Sequence, residues 1–267
     1  MTLQETFQTT APVALITGSG SKRVGRAIAA RFARLGCNIA LHANTSVQEA
    51  EQAATEFQES YGIETIVTQG SLVDDATPDR IVAETHAAFG RIDILVNSAA
   101  IWTPTKLQDI TAKEMRRYFD INTLGSFLCA RAAGERMVMQ DSGGAIINIG
   151  DWATVRPYMD HAAYFPSKGA IEVMTRSLAV ELASRNNRIR VNCIQPGPVL
   201  LADDVSDEHQ KKIAGSTLVG RVGTAEQVAH AATFLCENDF ITGVCLPVDG
   251  GRQIYAPDNL QVGMNTG

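Results

Sequence analysis

Apolar residues along this chain fall into short runs separated by longer stretches in which they recur every three to four positions. The runs 13-VALIT-17, 37-CNIALHA-43, 63-IETIVTQ-69, 92-IDILVNSA-99, 145-AIINIG-150, 189-IRVNCIQPG-197 and 244-VCLPVD-249 predict seven strands. Between them, residues 24–35, 46–61, 77–89, 113–137 and 166–183 carry helical patterns. Strands regularly alternating with helices of this length predict an α/β fold, a Rossmann-like doubly wound parallel sheet with helices on both faces. Pro166 lies inside the last pattern, so that helix either starts near Tyr164 or kinks there.

No repeat, charge block or low-complexity linker divides the chain, which predicts one domain over residues 12–252. Residues 1–11 and 253–267 read as tails, and the polar stretch 199–220 as a substrate loop. A chain of 267 residues with 45% apolar and 19% charged residues can bury a sizeable core. Its net charge of −6, without a basic stripe, excludes nucleic acid and anionic membranes as expected partners and favours a small-molecule substrate. No signal pattern or apolar run of the ~18 residues a span needs is present, which predicts a cytoplasmic protein. The five cysteines and five histidines are too scattered for a metal site, so none is expected. His161 is expected at the surface, with a place in the pocket lining near Tyr164 as the alternative.

Directly after the first strand, 17-TGSGSKRVGRAIA-29 opens a helix. Glycines at such a turn let the backbone approach a pyrophosphate, which the free N–H groups of the helix start then meet. Gly18, Ser21, Lys22, Arg23, Val24 and Gly25 are the candidate cofactor contacts here. Chains that bind NAD place an acid at the end of strand two for the ribose hydroxyl. Here that position reads 41-LHANTS-46, with no acid before Glu49. Lys22, Arg23, Asn44, Thr45 and Ser46 could instead donate to a 2′-phosphate, which predicts NADP(H). The alternative is that Lys22 and Arg23 are solvated loop charges.

The turn resembles that of the short-chain dehydrogenase/reductase family, with Gly18 and Gly25 one residue further apart than usual and Arg23 in place of the middle glycine. From about Val13 to Arg252 further motifs of that family follow in its order. They are 97-NSAA-100, 120-DINTLGSF-127, the Tyr164 to Lys168 spacing, 196-PGPV-199 and 249-DGG-251. The resemblance implies a cofactor site that also includes Asn97, Ala99, Pro196, Gly197, Tyr164 and Lys168. It implies Asn122, Tyr164 and Lys168 as catalytic residues, with Asn122 holding a water that links Lys168 to solvent. A homo-oligomer, tetramer or dimer, is also implied. Ser71 stands where the family commonly has an aspartate near the adenine.

Hydride transfer from a nicotinamide to C=O or C=N leaves charge on the heteroatom, which needs a proton. The Lys168 ammonium is expected to lower the Tyr164 pKa toward working pH. Thirteen residues before Tyr164, where most of the family has a serine, stands Asp151. An ionised carboxylate beside a developing oxyanion is repulsive, so ketone reduction is disfavoured unless Asp151 is protonated. A substrate rich in N–H groups reverses this, because a carboxylate accepts from an amino-heterocycle. Asp151, Arg23 in the turn and Trp102, five residues after Asn97, together resemble the pteridine reductase branch of the family. That resemblance implies Arg23, Trp102, Asp151 and Tyr164 as substrate contacts, and Asp151 as a catalytic residue beside Asn122, Tyr164 and Lys168. The alternatives are a carbonyl reductase such as a 3-oxoacyl-carrier-protein reductase, or a non-catalytic NADP-binding sensor or scaffold.

Overall fold

A computed structural model of the chain describes residues 1–199 and 206–255. Seven strands form one parallel sheet in the order β3-β2-β1-β4-β5-β6-β7. They are β1 (Val13–Thr17), β2 (Asn38–Ala43), β3 (Thr65–Gln69), β4 (Ile94–Asn97), β5 (Gly144–Ile149), β6 (Ile189–Pro196) and β7 (Cys245–Val248). β1, β4 and β5 are buried along their whole length, which is why they read as unbroken apolar runs.

Helices cover both faces. On one lie α2 (Val24–Arg34), α3 (Val47–Tyr61) and α9 (Ala225–Glu237), whose Ile28, Phe32, Phe57 and Leu235 meet Ile16, Leu41 and Ile147 of the sheet. On the other lie α4 (Ala76–Phe89), α6 (Gly125–Val138) and α7 (Tyr164–Ala183), where Ile81, Met137, Leu178 and Leu182 meet Leu15, Leu95 and Ile146. No helix among the described residues is long and apolar enough to cross a membrane.

Three features depart from the expectations, and the choice left open at Pro166 is decided. The N-terminal residues form a short helix, α1 (Leu3–Phe7), rather than a tail; Thr2 caps it through a capping box, and Leu3 and Phe7 are buried against the α2 and α9 side. The long pattern 113–137 is not one helix. α5 (Ala112–Tyr118) passes through a π-helical turn, Phe119–Leu124, before α6 begins. α7 starts at Tyr164, so Pro166 sits in its first turn, where the missing N–H has no helical partner to lose. Part of the polar stretch expected as a loop is α8 (Asp207–Gly215), capped by Ser206; its residues 200–205 lie outside the described residues, as do 256–267 of the C-terminal segment.

Strand order reverses between β1 and β4, which opens a crevice at the carboxyl ends of these strands.

Candidate active site

The crevice is a cleft of about 730 Å³. At its β1 end the Thr17 hydroxyl accepts from the Ser98 and Ala99 N–H groups, at 3.0 and 3.1 Å, tying β1 to β4. Gly18 follows with φ +64°, and a Cβ there would lie 2.6 Å from Ala99 Cα. A Cβ on Gly25 would lie 2.8 Å from the Gly18 carbonyl oxygen. Both positions therefore require glycine if helix and turn are to pack this closely. Arg26 fixes the turn from behind, donating to the carbonyls of Ser19 at 2.8 Å and Glu49 at 2.5 Å, and also to that of Gly20. No side chain caps α2, whose preceding residue is Arg23, so its first N–H groups remain available to a pyrophosphate.

Gly18, Ser21, Arg23, Val24, Asn44, Thr45, Ser46, Ser71, Ala99, Pro196 and Gly197 all line the cleft. Lys22 is exposed and Asn97 buried, and neither lines it. The Asn97 amide nitrogen donates to the Ser126 carbonyl at 3.0 Å and to Asn148 Oδ1 at 2.9 Å, so it holds the sheet to α6. His42 was not anticipated. Its Nδ1 accepts from the Gly18 N–H at 3.3 Å and its Nε2–H donates to the Gly70 carbonyl at 3.0 Å, while burial pushes its pKa down. A neutral imidazole thus braces the glycine turn.

The cleft floor comes from the end of β5 and the start of α7. Tyr164 and Lys168 are one helical turn apart on the same face, and both are buried. The Tyr164 hydroxyl donates to Asp151 Oδ2 at 2.7 Å, while Asp151 Oδ1 accepts from the Ala153 N–H at 2.8 Å. Lys168 Nζ donates to the Ile149 carbonyl at 2.7 Å. Burial raises the Asp151 pKa despite these contacts, and burial lowers that of Lys168. The expected lowering of the tyrosine is overturned. Burial, then the Asp151 charge, then the hydrogen bond to that carboxylate hold the Tyr164 phenol well above its ordinary value. In this arrangement the phenol is a proton donor already committed to an acceptor.

Asn122 is brought near but does not touch Lys168. Its Oδ1 accepts from the Ile101 N–H at 2.9 Å, and its Nδ2 donates to the Ile101 carbonyl at 3.2 Å and Ser167 Oγ at 3.0 Å. It clamps the loop that carries Trp102 to the start of α7.

Beyond the tyrosine the wall is aromatic. Trp102, half exposed, stacks on His161 with ring centroids 4.8 Å apart, and its indole N–H donates to the Tyr158 hydroxyl at 3.3 Å. His161 is buried, not at the surface as expected, with Nδ1 on the Met159 carbonyl at 2.9 Å. Tyr158 packs edge-on to Phe165 at 4.9 Å. The Arg252 guanidinium lies 4.4 Å from the Trp152 ring centroid, and both residues line the cleft. His209 and Ile213 bring α8 to the same rim. Tyr158, Trp152 and Arg252 were missed because only folding brings these separate segments together.

A doubly wound sheet whose switch-point cleft holds a buried tyrosine and lysine defines a nucleotide-dependent oxidoreductase. The family model described as enoyl-(acyl carrier protein) reductase matches residues 20–253, and the chain belongs to the short-chain dehydrogenase/reductase family. It is 36% identical over 252 residues to the short-chain dehydrogenase/reductase FrzI of Cladobotryum sp, covering 89% of this chain and 94% of that one. An NADPH-dependent aldehyde reductase-like protein, chloroplastic, of Arabidopsis thaliana is 33% identical over 255 residues, covering 90% and 93%. A crystal structure described as a short-chain alcohol dehydrogenase from Sinorhizobium meliloti superposes with a TM-score of 0.83 at 28% identity, covering 91% of this chain and 96% of that one.

Proposed function

We propose that this protein is an NADPH-dependent reductase of a pteridine-like C=N bond. The observation that carries the reading is the 2.7 Å hydrogen bond from the Tyr164 hydroxyl to the Asp151 carboxylate. A ketone offers that carboxylate no hydrogen to accept. An amino-heterocycle offers several N–H groups, and its flat ring suits a wall that includes Trp102.

NADPH when bound supplies the hydride that adds to the carbon of the C=N bond. Gly18, Ser21 and the start of α2 would hold its pyrophosphate, and Arg23, Asn44, Thr45 and Ser46, which line the same cleft, would donate to its 2′-phosphate. Lys168, held by the Ile149 carbonyl, supports the reacting end of the floor. Tyr164 gives its proton to the ring nitrogen as negative charge builds there. Asp151, whose pKa burial has raised, takes up a proton more readily than an exposed acid and relays one back to the phenol.

A second reading, reduction of an aldehyde, draws on the likeness to the Arabidopsis NADPH-dependent aldehyde reductase-like protein. In it Asp151 works protonated and donates to the carbonyl oxygen. Asp151→Ser separates the two. On the pteridine reading it lowers kcat/KM for dihydrobiopterin by about 100-fold, in the range of a lost proton-transfer partner, and spares or raises turnover of benzaldehyde. Wild-type enzyme that oxidises NADPH with benzaldehyde and not with dihydrobiopterin would overturn the pteridine reading.

A further inference from the structure

The chain carries net charge −6, yet among the described residues the charged ones that line the cleft are Arg23, Arg117, Lys168 and Arg252 against one acid, Asp151. Arg23 is explained by a cofactor phosphate and Lys168 by the catalytic floor. Arg252 is explained by neither, since it stands at the substrate end beside Trp152.

Its surroundings hold it in place without satisfying it. Asp249 accepts from the Gly251 and Gln253 N–H groups at 2.9 and 2.7 Å, which closes the turn around Arg252. Arg156 donates to the Arg252 carbonyl at 2.9 Å. The guanidinium itself rests on Trp152 and makes no hydrogen bond or ion pair with any described residue. The two acids that act on it among the described residues are occupied, Asp249 by backbone and Asp151 by Tyr164 and Ala153. A guanidinium has five N–H donors and no acceptor, in a fork that matches a carboxylate. Partial burial, which lowers its pKa, is the electrostatic cost of a cation kept short of water and partners.

We propose that Arg252 is a specificity-determining residue and that the cleft takes a flat substrate bearing a carboxylate, which pairs with this guanidinium while the reducible bond lies at Tyr164. The carboxylate belongs to the substrate and is not the group reduced. The choice of a pterin as the flat ring rests on the function proposed above, but the carboxylate anchor does not depend on it.

Calorimetric titration of the NADP⁺-loaded enzyme with two matched pairs tests the anchor. The pairs are 6-carboxypterin against 6-methylpterin, and 4-carboxybenzyl alcohol against benzyl alcohol. At least one carboxylated member should bind about 10- to 100-fold tighter than its neutral partner, the range of one charge-assisted contact. Arg252→Gln should collapse that advantage and Arg252→Lys restore part of it. Equal binding within both pairs, or no binding by any member, overturns the anchor. An advantage that survives Arg252→Gln overturns it as well. If Arg252→Gln does not fold, the wild-type advantage must shrink between 50 and 500 mM salt, and an advantage insensitive to salt decides against the anchor. Failure of the pterin reading looks different: the benzyl pair keeps its carboxylate preference while dihydropterins are not turned over.

Discussion

At the cofactor end of the cleft the contacting surface is largely main chain, set by Gly18, Gly25 and the uncapped start of α2, and braced by Arg26 and His42. At the substrate end it is side chain, with Trp102, Trp152, Tyr158 and Arg252 arriving from three separate segments. Backbone recognition tolerates no added atom but is indifferent to most side chains. Side-chain recognition can be rewritten one residue at a time. One fold can therefore keep a fixed redox partner while its substrate changes.

Substitutions probe this contrast unequally. The largest effect should come from Tyr164→Phe, which removes the proton donor between the two ends and leaves a part-buried Asp151 short of a partner. A fall in kcat of about 1000-fold is expected, within the usual share of a positioned acid. Stopped-flow measurement should show cofactor binding nearly intact, and turnover near the wild-type rate would remove Tyr164 from the chemistry. Gly18→Ala comes next. It forces a positive φ on alanine and drives its Cβ into Ala99, costing about 1–3 kcal/mol of stability. The NADPH KM should rise while the KM of a saturating substrate changes little. Unaltered Tm and cofactor KM would mean that the turn is looser than described.

The smallest effect is a pH dependence. Burial raises the Asp151 pKa, so the folded chain keeps a proton there at pH values where the unfolded chain has lost it. This site makes stability fall as pH climbs from the ordinary carboxylate range through the raised folded value. Asp151→Asn removes that contribution. Its urea midpoint, relative to wild type, should improve as pH rises from about 4 to about 7. A constant difference over that interval would show that Asp151 is as well solvated as a surface acid.

Much of the frame was legible because parallel strands buried on both faces leave unbroken apolar runs, as in Val13 to Thr17. The glycine turn was legible for a related reason, since a close backbone approach can be met by one residue type. The fixed spacing of Tyr164 and Lys168 on a single helix made their common face readable. Their protonation was not, because burial and the Asp151 carboxylate outweigh the lysine at the phenol. Helix α1 was missed because a five-residue helix carries too little periodicity, and only its packing against α9 reveals it. Arg252 was passed over since nothing local marks a cation whose meaning depends on Trp152, a hundred residues earlier.

The π-helical turn at Phe119–Leu124 has a geometric consequence for the whole site. Each residue of an α-helix advances the side-chain direction by about 100°, and the wider turn inserts a step into that progression. α5 and α6 therefore share nearly one axis while running out of phase. α5 is phased so that the Tyr118 hydroxyl grips Thr103, and α6 so that Cys129, Ala133 and Met137 enter the core. Asn122 sits at the phase boundary and faces the cleft loop. Deleting one residue there would bring the two phases together, so that the core and the active site could no longer both be in register with the same helix.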